Sequence, residues 1–252
     1  MKKIRLFFCF LGLTILSITG CKKTITYQTA QLTDYLQLQP GKVITYRLDS
    51  TNFTFFGTIR TITSYIAQDI VDTLATDNLN RPSWRIFRYI TDTAMSQSWA
   101  NLETYMITPT ISTTEVIENN LRYVKLALPL QNGFSWPGNT YIDTNTPAAS
   151  SDPDYSYLAA WNYTYDSIGA PYTVLAGTIP NTLIVRQQDQ MIGDSTDPNT
   201  FSERDYSKEV YAKSIGLIYK DFLHWEYQPP NGSNAAGYKT GYGIRLNMMG
   251  HN

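Results

Sequence analysis

Short runs of alternating apolar and polar residues, bounded by turn-forming residues, recur from residue 40 to the end of the chain. In the run 84–90, for example, Arg85 and Arg88 interrupt a series of aromatic and aliphatic residues. A period of two is typical of strands that bury one face. The 19 Tyr, 10 Phe and 5 Trp favour strands as well. The sequence therefore predicts a mainly β, antiparallel protein with little helix.

Turn signals divide this pattern into separate segments. Asn119-Asn120 in particular can adopt positive φ, which predicts a tight hairpin turn. The segment 64–74 fits either a helix or a strand, and its β-branched content favours the strand. The segment 203–213 is predicted to hold a short helix. The predicted strands are 43–48, 53–62, 64–74, 84–90, 114–118, 121–128, 157–165, 172–176, 182–188, 216–227 and 241–249.

The N-terminus has the pattern of a secretory signal. Basic Lys2, Lys3 and Arg5 precede an apolar run from residue 6 to about 18, which is too short for a membrane-spanning helix of about 20 residues. The run ends at Gly20-Cys21, which resembles a lipobox. The alternative is an ordinary signal peptide with an incidental cysteine. The small residues before the sulfur favour a signal peptide over 1–20 and lipidation of Cys21.

Removal of that peptide changes both the cysteine count and the charge. Cys9 would be discarded, leaving Cys21 alone, so no disulfide is expected. The mature chain would carry 17 basic and 21 acidic residues, a net charge of −4. A mildly acidic chain without a basic stripe is a poor candidate for binding nucleic acid.

The rest of the chain is predicted to form one domain behind a short linker. Residues 21–36 show no strong periodicity and are interpreted as a tether that carries the lipid. Residues 37–252 are predicted to form a single β-rich domain. The stretch 143–155 is polar, contains proline and is almost free of aromatic residues, so it is interpreted as a flexible insertion.

Familiar catalytic motifs are missing from the sequence. It contains no HExxH, GxSxG, CxxC or phosphate-binding glycine motif, so neither a metal nor a cofactor is predicted. His224 lies among aromatic residues of a predicted strand and is better explained as a structural histidine than as a catalytic one. The catalytic residues of any activity stay unassigned. The 21 Asp and Glu leave a glycan-acting carboxylate pair open.

Two further patterns suggest surface roles. Aromatic rings can stack on sugars, and Trp136, in a Gly/Pro loop, is the aromatic most expected to be exposed and to face a ligand, although such residues are often part of the core. Five Asp-Ser or Asp-Thr pairs resemble the O-glycosylation acceptor of exported Bacteroidota proteins, while Asp-Ser and Asp-Thr also start turns. The other aromatic candidates are Tyr46, Tyr89, Trp99 and Trp161, and the candidate acceptors are Ser50, Thr73, Thr93, Ser167 and Ser195.

Several segments together resemble lipoproteins common in Bacteroidota that have no established activity. These are the lipobox followed by Lys22-Lys23, residues 38–50, the loop 136–139 and residues 209–220. The last segment also resembles a strand of periplasmic proteins with half-barrel or β-sandwich folds. The resemblance implies an antiparallel β-sandwich or half-barrel. Since surface-exported relatives carry acidic residues after the cysteine, Lys22-Lys23 implies an outer-membrane anchor that faces the periplasm.

Two functions follow as hypotheses. The first is a membrane-anchored envelope lipoprotein whose β-domain binds a ligand or partner without catalysis, with a glycan, a small apolar ligand or an envelope protein as the candidate partner. The second is a hydrolase that acts on glycan through a carboxylate pair.

Overall fold

The computed structural model describes residues 30–55, 57–144, 155–232 and 236–252. The signal peptide, Cys21 and most of the insertion predicted near 143–155 lie outside these ranges. Two short 3₁₀ helices cover Leu32–Tyr35 and Ser156–Leu158. In chain order the strands of the described residues are β1 Val43–Thr54, β2 Ile59–Thr76, β3 Pro82–Asp92, β4 Ala100–Pro109, β5 Thr113–Glu118, β6 Leu121–Ala127, β7 Ser135–Pro137, β8 Asn162–Ile168, β9 Tyr172–Val174, β10 Gly177–Ile179, β11 Thr182–Ile192, β12 Ser202–Ala212, β13 Gly216–Gln228 and β14 Tyr238–His251.

Twelve of these strands form one antiparallel sheet in the order β6-β5-β4-β3-β2-β1-β14-β13-β12-β11-β8-β7. The two edges of the sheet come together. Val124 N on β6 donates to Gly138 O at 2.8 Å, and the Trp136 indole nitrogen on β7 donates to Val124 O at 2.7 Å. The sheet is therefore nearly closed and barrel-like, which confirms the prediction of a mainly β, antiparallel fold with little helix and is nearer to the half-barrel than to the β-sandwich.

Side chains alternate between the inside and the outside of this barrel, as the sequence period requires. On β1, Tyr46 and Leu48 are buried and Arg47 between them is exposed. Tyr46 lies opposite Ala67 of β2, and Ala67 lies opposite Ile90 of β3, so these residues share one face.

The strand predictions hold with specific exceptions. The ambiguous segment 64–74 is part of β2, which confirms the strand. The predicted strand 53–62 is instead divided between two strands, because β1 ends at Thr54 and β2 begins at Ile59. The helix predicted over 203–213 is wrong, because these residues form β12. Asp205, Ser207 and Glu209 alternate on its buried face, and polar residues on an inner face hide the apolar period that marks a strand.

One end of the barrel is covered by the segment before β1. Leu32, Tyr35 and Leu36 are buried, and Ser214 N donates to Asp34 O at 2.7 Å. Residues 31–36 therefore belong to the folded unit, which starts at Gln31, and not to the predicted tether 21–36. The reason is that three apolar residues in this stretch find a buried surface to pack on.

A separate hairpin, β9–β10, packs on the outside of the sheet. Ala176 N donates to Met248 O of β14 at 2.9 Å. Val174 joins a buried cluster that includes Val210 and Met248.

The tight turn predicted at Asn119-Asn120 is confirmed, since both residues have positive φ, 53° and 62°.

Candidate functional site

A layer of paired charges crosses the inside of the barrel. Arg88 of β3 is 4% exposed and binds both oxygens of Asp69 on β2, at 2.6 and 2.7 Å. Tyr105 OH donates to the same Asp69 at 2.9 Å. Arg88 Nη1 also donates to Glu103 of β4. Neighbouring strands place these groups together because their cross-strand partners share the inner face.

Two lysines, one on β13 and one on β6, complete this layer. Lys220 Nζ of β13 binds both oxygens of Glu118, at 2.9 and 3.0 Å. Lys125 Nζ of β6 binds Glu209 at 2.7 Å, and Tyr211 OH donates to Glu209 at 2.6 Å.

The carboxyl groups of this layer differ in acidity. Burial alone would raise the pKa of Glu118, but the charges of Lys220, Lys125 and Arg88 lower that pKa to about 2. Burial raises the pKa of Glu103, and Arg88 only partly offsets it. The interior thus holds one carboxyl group with a lowered pKa close to another with a raised pKa.

A cavity of about 280 Å³ lies on one side of the charged layer. Arg88, Glu103, Glu118, Lys125 and Lys220 line it from the layer. Its other lining residues include the deeply buried Gln187, Ser207 and Tyr163, and also Leu102, Asn119 and Tyr242, which are exposed. The cavity therefore has a closed polar floor and a mouth at the Leu102 end.

Aromatic rings form much of the cavity wall. Trp161 lies 6.4 Å from Phe222, between ring centroids, and Phe222 lies 5.0 Å from Tyr242, with interplanar angles of 34° and 36°. Tyr157 meets Trp161 edge-on at 6.3 Å and 65°. The tilted rings make a concave wall instead of a slot with parallel faces. Tyr123, Tyr157, Trp161, Tyr163, Phe222 and Tyr242 are the aromatic residues that line the cavity.

A β-bulge brings Gln187 to the cavity. Arg186 pairs with Lys208 and Gln188 pairs with Ser207, so Gln187 is the extra residue between them. Its Oε1 accepts from Ser207 Oγ at 2.7 Å. Its Nε2 is buried and has no hydrogen-bond partner among the residues that the structure describes. Bulges often re-aim a side chain next to a functional site.

Beyond the Tyr157 wall, three ionisable residues of β12 and β13 converge. His224 Nδ1 lies 2.7 Å from Asp205 Oδ1, and the His224 ring stacks on Tyr157 at 3.8 Å. Glu203, Asp205 and His224 bring one ligand atom each within 4.8 Å of one another, a spacing that could hold a metal ion. Burial, a hydrogen bond with Asp205 and the charges of Asp205 and Glu226 raise the pKa of Glu203 to about 7.

A second depression of about 450 Å³ lies beside Trp225, Tyr227 and Lys239. The Lys239 amine sits over the Trp225 ring, 3.9 Å from its centroid, and so occupies the aromatic face itself. The barrel cavity is the stronger candidate because a buried polar floor and several rings converge on it.

The aromatic residues proposed from the sequence lie in different environments in the structure. Trp161 lines the cavity. The expected exposure of Trp136 is wrong: it is 5% exposed, and its indole nitrogen is bonded to Val124 O where the barrel closes. Loop aromatic residues that fold back in this way gain apolar burial and keep their polar atom paired. Sequence reasoning missed Gln187 and the charged layer.

The candidate glycosylation positions also differ in access. Thr73, Thr93 and Ser195 are exposed, whereas Ser50 and Ser167 lie in strands and are half-buried. Exposed hydroxyls are more accessible to a transferase than half-buried ones.

Comparisons with known proteins are uninformative about function. No protein-family model matches the chain, and no curated protein matches it. A crystal structure at 2.22 Å resolution of a protein from Bacteroides fragilis NCTC 9343, described as exported and with a YmcC-like fold, is similar. It shares 9% sequence identity and a TM-score of 0.42, over 86% of this chain and 98% of that chain. A likeness at this level carries no argument.

Among the described residues, no helix has the length and apolar character needed to cross a bilayer.

Proposed function

We propose that this chain is a non-enzymatic binding protein of the bacterial envelope, which takes a small ligand into the cavity of its barrel-like sheet. The observation that carries the proposal is the 280 Å³ cavity with aromatic walls, a polar floor and an open mouth. Ligand sites in proteins are concave and largely preformed, with apolar walls and a few polar groups that orient the ligand.

The charged layer supports a role beyond stability. The layer consists of seven charged side chains: Asp69, Arg88, Glu103, Glu118, Lys125, Glu209 and Lys220. Replacing buried ion pairs by well-packed apolar residues is often neutral or stabilising, so such pairs are weak evidence for a purely structural role. A polar floor that positions a ligand accounts for their presence.

The proposal includes a lipid anchor at Cys21. The basic residues, the apolar run and Gly20-Cys21 are its support. Nine residues separate Cys21 from Gln31, where the folded unit begins. At about 3.5 Å per residue, the barrel would stay within roughly 35 Å of the membrane surface. Lys22-Lys23 favours the periplasmic face of the outer membrane.

The anchor can be tested by fractionation. Wild-type chain should pellet with membranes and incorporate labelled palmitate, whereas Cys21→Ser should be unlabelled. A matched Cys9→Ser variant should behave as wild type. A wild-type N-terminal peptide that contains unmodified Cys21 would contradict the anchor and leave the cavity proposal intact.

Ligand binding can be tested at the cavity mouth. Leu102 is 48% exposed there, so Leu102→Trp should obstruct entry at little cost to folding. Leu74→Trp is the matched control, because Leu74 is 53% exposed on β2 away from the cavity. Saturable binding of a small probe should be lost in Leu102→Trp and kept in Leu74→Trp. Equal binding by both variants would contradict the cavity as the site.

A second function, hydrolysis of glycan, has one specific observation in its favour. Glu103 and Glu118 both contact Arg88 Nη1, Glu118 at 3.8 Å. Because both carboxyl groups contact the same nitrogen, their separation does not exceed the upper limit of roughly 9.5 Å for the two carboxyl groups of a glycosidase. The raised pKa of Glu103 and the low pKa of Glu118 fit an acid and a charged partner.

Activity separates the two functions. Under the hydrolase alternative, 4-nitrophenyl glycosides would release nitrophenol, and Glu103→Gln would abolish the release. Glu226→Gln, outside the cavity lining, would retain it. Binding without turnover supports the non-enzymatic proposal.

A further inference from the structure

The side-chain nitrogen of Gln187 is a buried hydrogen-bond donor that is available to an accepting atom of a ligand. Gln187 is 2% exposed, and Ser207 satisfies its oxygen but not its nitrogen, within the part of the chain that the structure describes. Rotating the amide by 180° would leave the oxygen unpaired instead, so one polar atom stays available in either orientation. Buried polar groups are nearly always paired, and a hydroxyl can pair with either end.

The charges of the cavity favour a neutral ligand. Its three cationic residues are already paired: Arg88 with Asp69, Lys125 with Glu209 and Lys220 with Glu118. An anionic ligand would have to displace a buried carboxylate from its partner, which is strongly unfavourable. A cationic ligand would meet carboxylates that are already neutralised. A purely apolar ligand would cover the polar floor and leave Gln187 unpaired.

The wall and the volume restrict the shape of that ligand. Rings inclined by 34° to 65° form a concave wall, which fits a puckered ring better than a flat heterocycle. The volume of about 280 Å³ lies just below the roughly 300 to 1,000 Å³ typical of sites for drug-sized ligands. The cavity therefore has room for one small ring system, with its continuation leaving through the mouth at Tyr242.

We infer that the cavity binds a neutral carbohydrate ring, with Gln187 as the residue that selects it by hydrogen bonding to a hydroxyl. A sugar ring offers hydroxyls that both donate and accept, and its C–H face packs against aromatic rings. The inference rests on the proposed binding function and specifies its ligand class.

The test uses the Cys21→Ser chain produced without the predicted signal peptide 1–20, which carries no lipid and keeps the whole folded unit from Gln31 onward. Saturation-transfer NMR and tryptophan fluorescence would measure binding of neutral methyl glycosides of glucose, galactose, mannose and N-acetylglucosamine, with adenosine and anilinonaphthalene sulfonate for comparison. At least one glycoside should bind saturably. Gln187→Met should weaken that binding about tenfold or more, since one hydrogen bond to the ligand is lost.

Two further variants make the result decisive. Gln190→Met, an exposed position of the same strand, should bind as wild type. Tyr242→Leu removes a ring at the mouth, where the side chain is 44% exposed, and should weaken binding even if Gln187→Met fails to fold. Weakening in Gln190→Met equal to that in Gln187→Met would overturn the role of Gln187.

The probes distinguish failure of this inference from failure of the proposed function. Binding of adenosine or anilinonaphthalene sulfonate that Leu102→Trp abolishes, with no glycoside bound, would overturn the carbohydrate class and leave the cavity as a binding site. Binding of no probe at all would overturn both.

Discussion

Lys125 Nζ lies 2.7 Å from Glu209 Oε1 inside the barrel, although the two residues are 84 positions apart in the chain. Their strands, β6 and β12, are not neighbours in the sheet, so this pair connects separate walls. The side chains are 6% and 2% exposed. Burial alone would raise the pKa of Glu209, but the charges of Lys125 and Lys220, together with hydrogen bonds from Lys125 and Tyr211, lower it.

Lys125→Met is expected to destabilise the fold strongly. Removing one member of a buried pair leaves the other charge uncompensated, which typically costs about 3–5 kcal/mol. The free energy of unfolding in urea would measure this loss. The double variant Lys125→Met/Glu209→Gln should recover part of it.

The control for this prediction is an exposed pair. Lys213 lies 3.4 Å from Asp34 with side chains 47% and 35% exposed, so Lys213→Met should change the free energy of unfolding by less than about 1 kcal/mol. Equal effects of Lys213→Met and Lys125→Met would contradict the buried pair.

Glu203 is expected to make stability depend on pH. Its folded-state pKa of about 7 exceeds the ordinary value of 4.5. Between those values the folded state binds more protons than the unfolded state, so stability falls as pH rises through this window. Glu203→Gln removes that penalty and should therefore stabilise the protein more at pH 8 than at pH 4.

Thermal unfolding at both pH values measures the difference. Asp189→Asn, an exposed position paired with Arg204, is the control and should show no such pH-dependent gain. A gain from Glu203→Gln that is greater at pH 4 would have the wrong sign for a raised pKa.

Trp136→Phe is expected to weaken the closure of the barrel. The change removes the bond from the indole nitrogen to Val124 O and leaves a small void, with a combined loss of about 1–3 kcal/mol. Trp99→Phe, at a position 40% exposed, should alter stability by less than about 0.5 kcal/mol. Urea unfolding compares the two, and similar losses would show that Trp136 has no special role at the seam.

The O-glycosylation hypothesis predicts that only some of the candidate positions carry a sugar. If the Asp-Ser and Asp-Thr pairs are acceptors, peptides containing Thr73, Thr93 or Ser195 should carry hexose mass increments. Peptides with Ser50 or Ser167 should not, because these positions are half-buried in strands. Mass spectrometry of protein from the native host tests this, and modification of Ser50 or Ser167 alone would contradict the burial argument.

Sequence patterns predicted most strands because one face of each strand is apolar. They failed at β12, where Asp205, Ser207 and Glu209 face the interior and remove the apolar period. Strand β4 was also missed, since much of its surface is exposed and its alternation is weak.

The candidate site was harder to predict from the sequence than the strands. Trp161 was among the aromatic candidates, but it could not be separated from core aromatics without the closed sheet. Neighbouring strands account for the pair Asp69–Arg88, but only closure of the sheet brings Lys220 of β13 to Glu118 of β5 and Lys125 of β6 to Glu209 of β12. The bulge at Gln187 depends on the register of β11 against β12, which has no short sequence signature.

The most direct test of cavity binding is a ¹H–¹⁵N NMR titration of the lipid-free Cys21→Ser chain without residues 1–20 with the glycoside that binds best. Trp161, whose indole nitrogen donates to Tyr157 O at 2.7 Å, should shift together with the Gln187 side-chain amide. Trp99 and Trp225 should not shift, because they lie outside the cavity lining. Shifts at Trp99 or Trp225, with Trp161 and Gln187 unchanged, would contradict binding in the cavity.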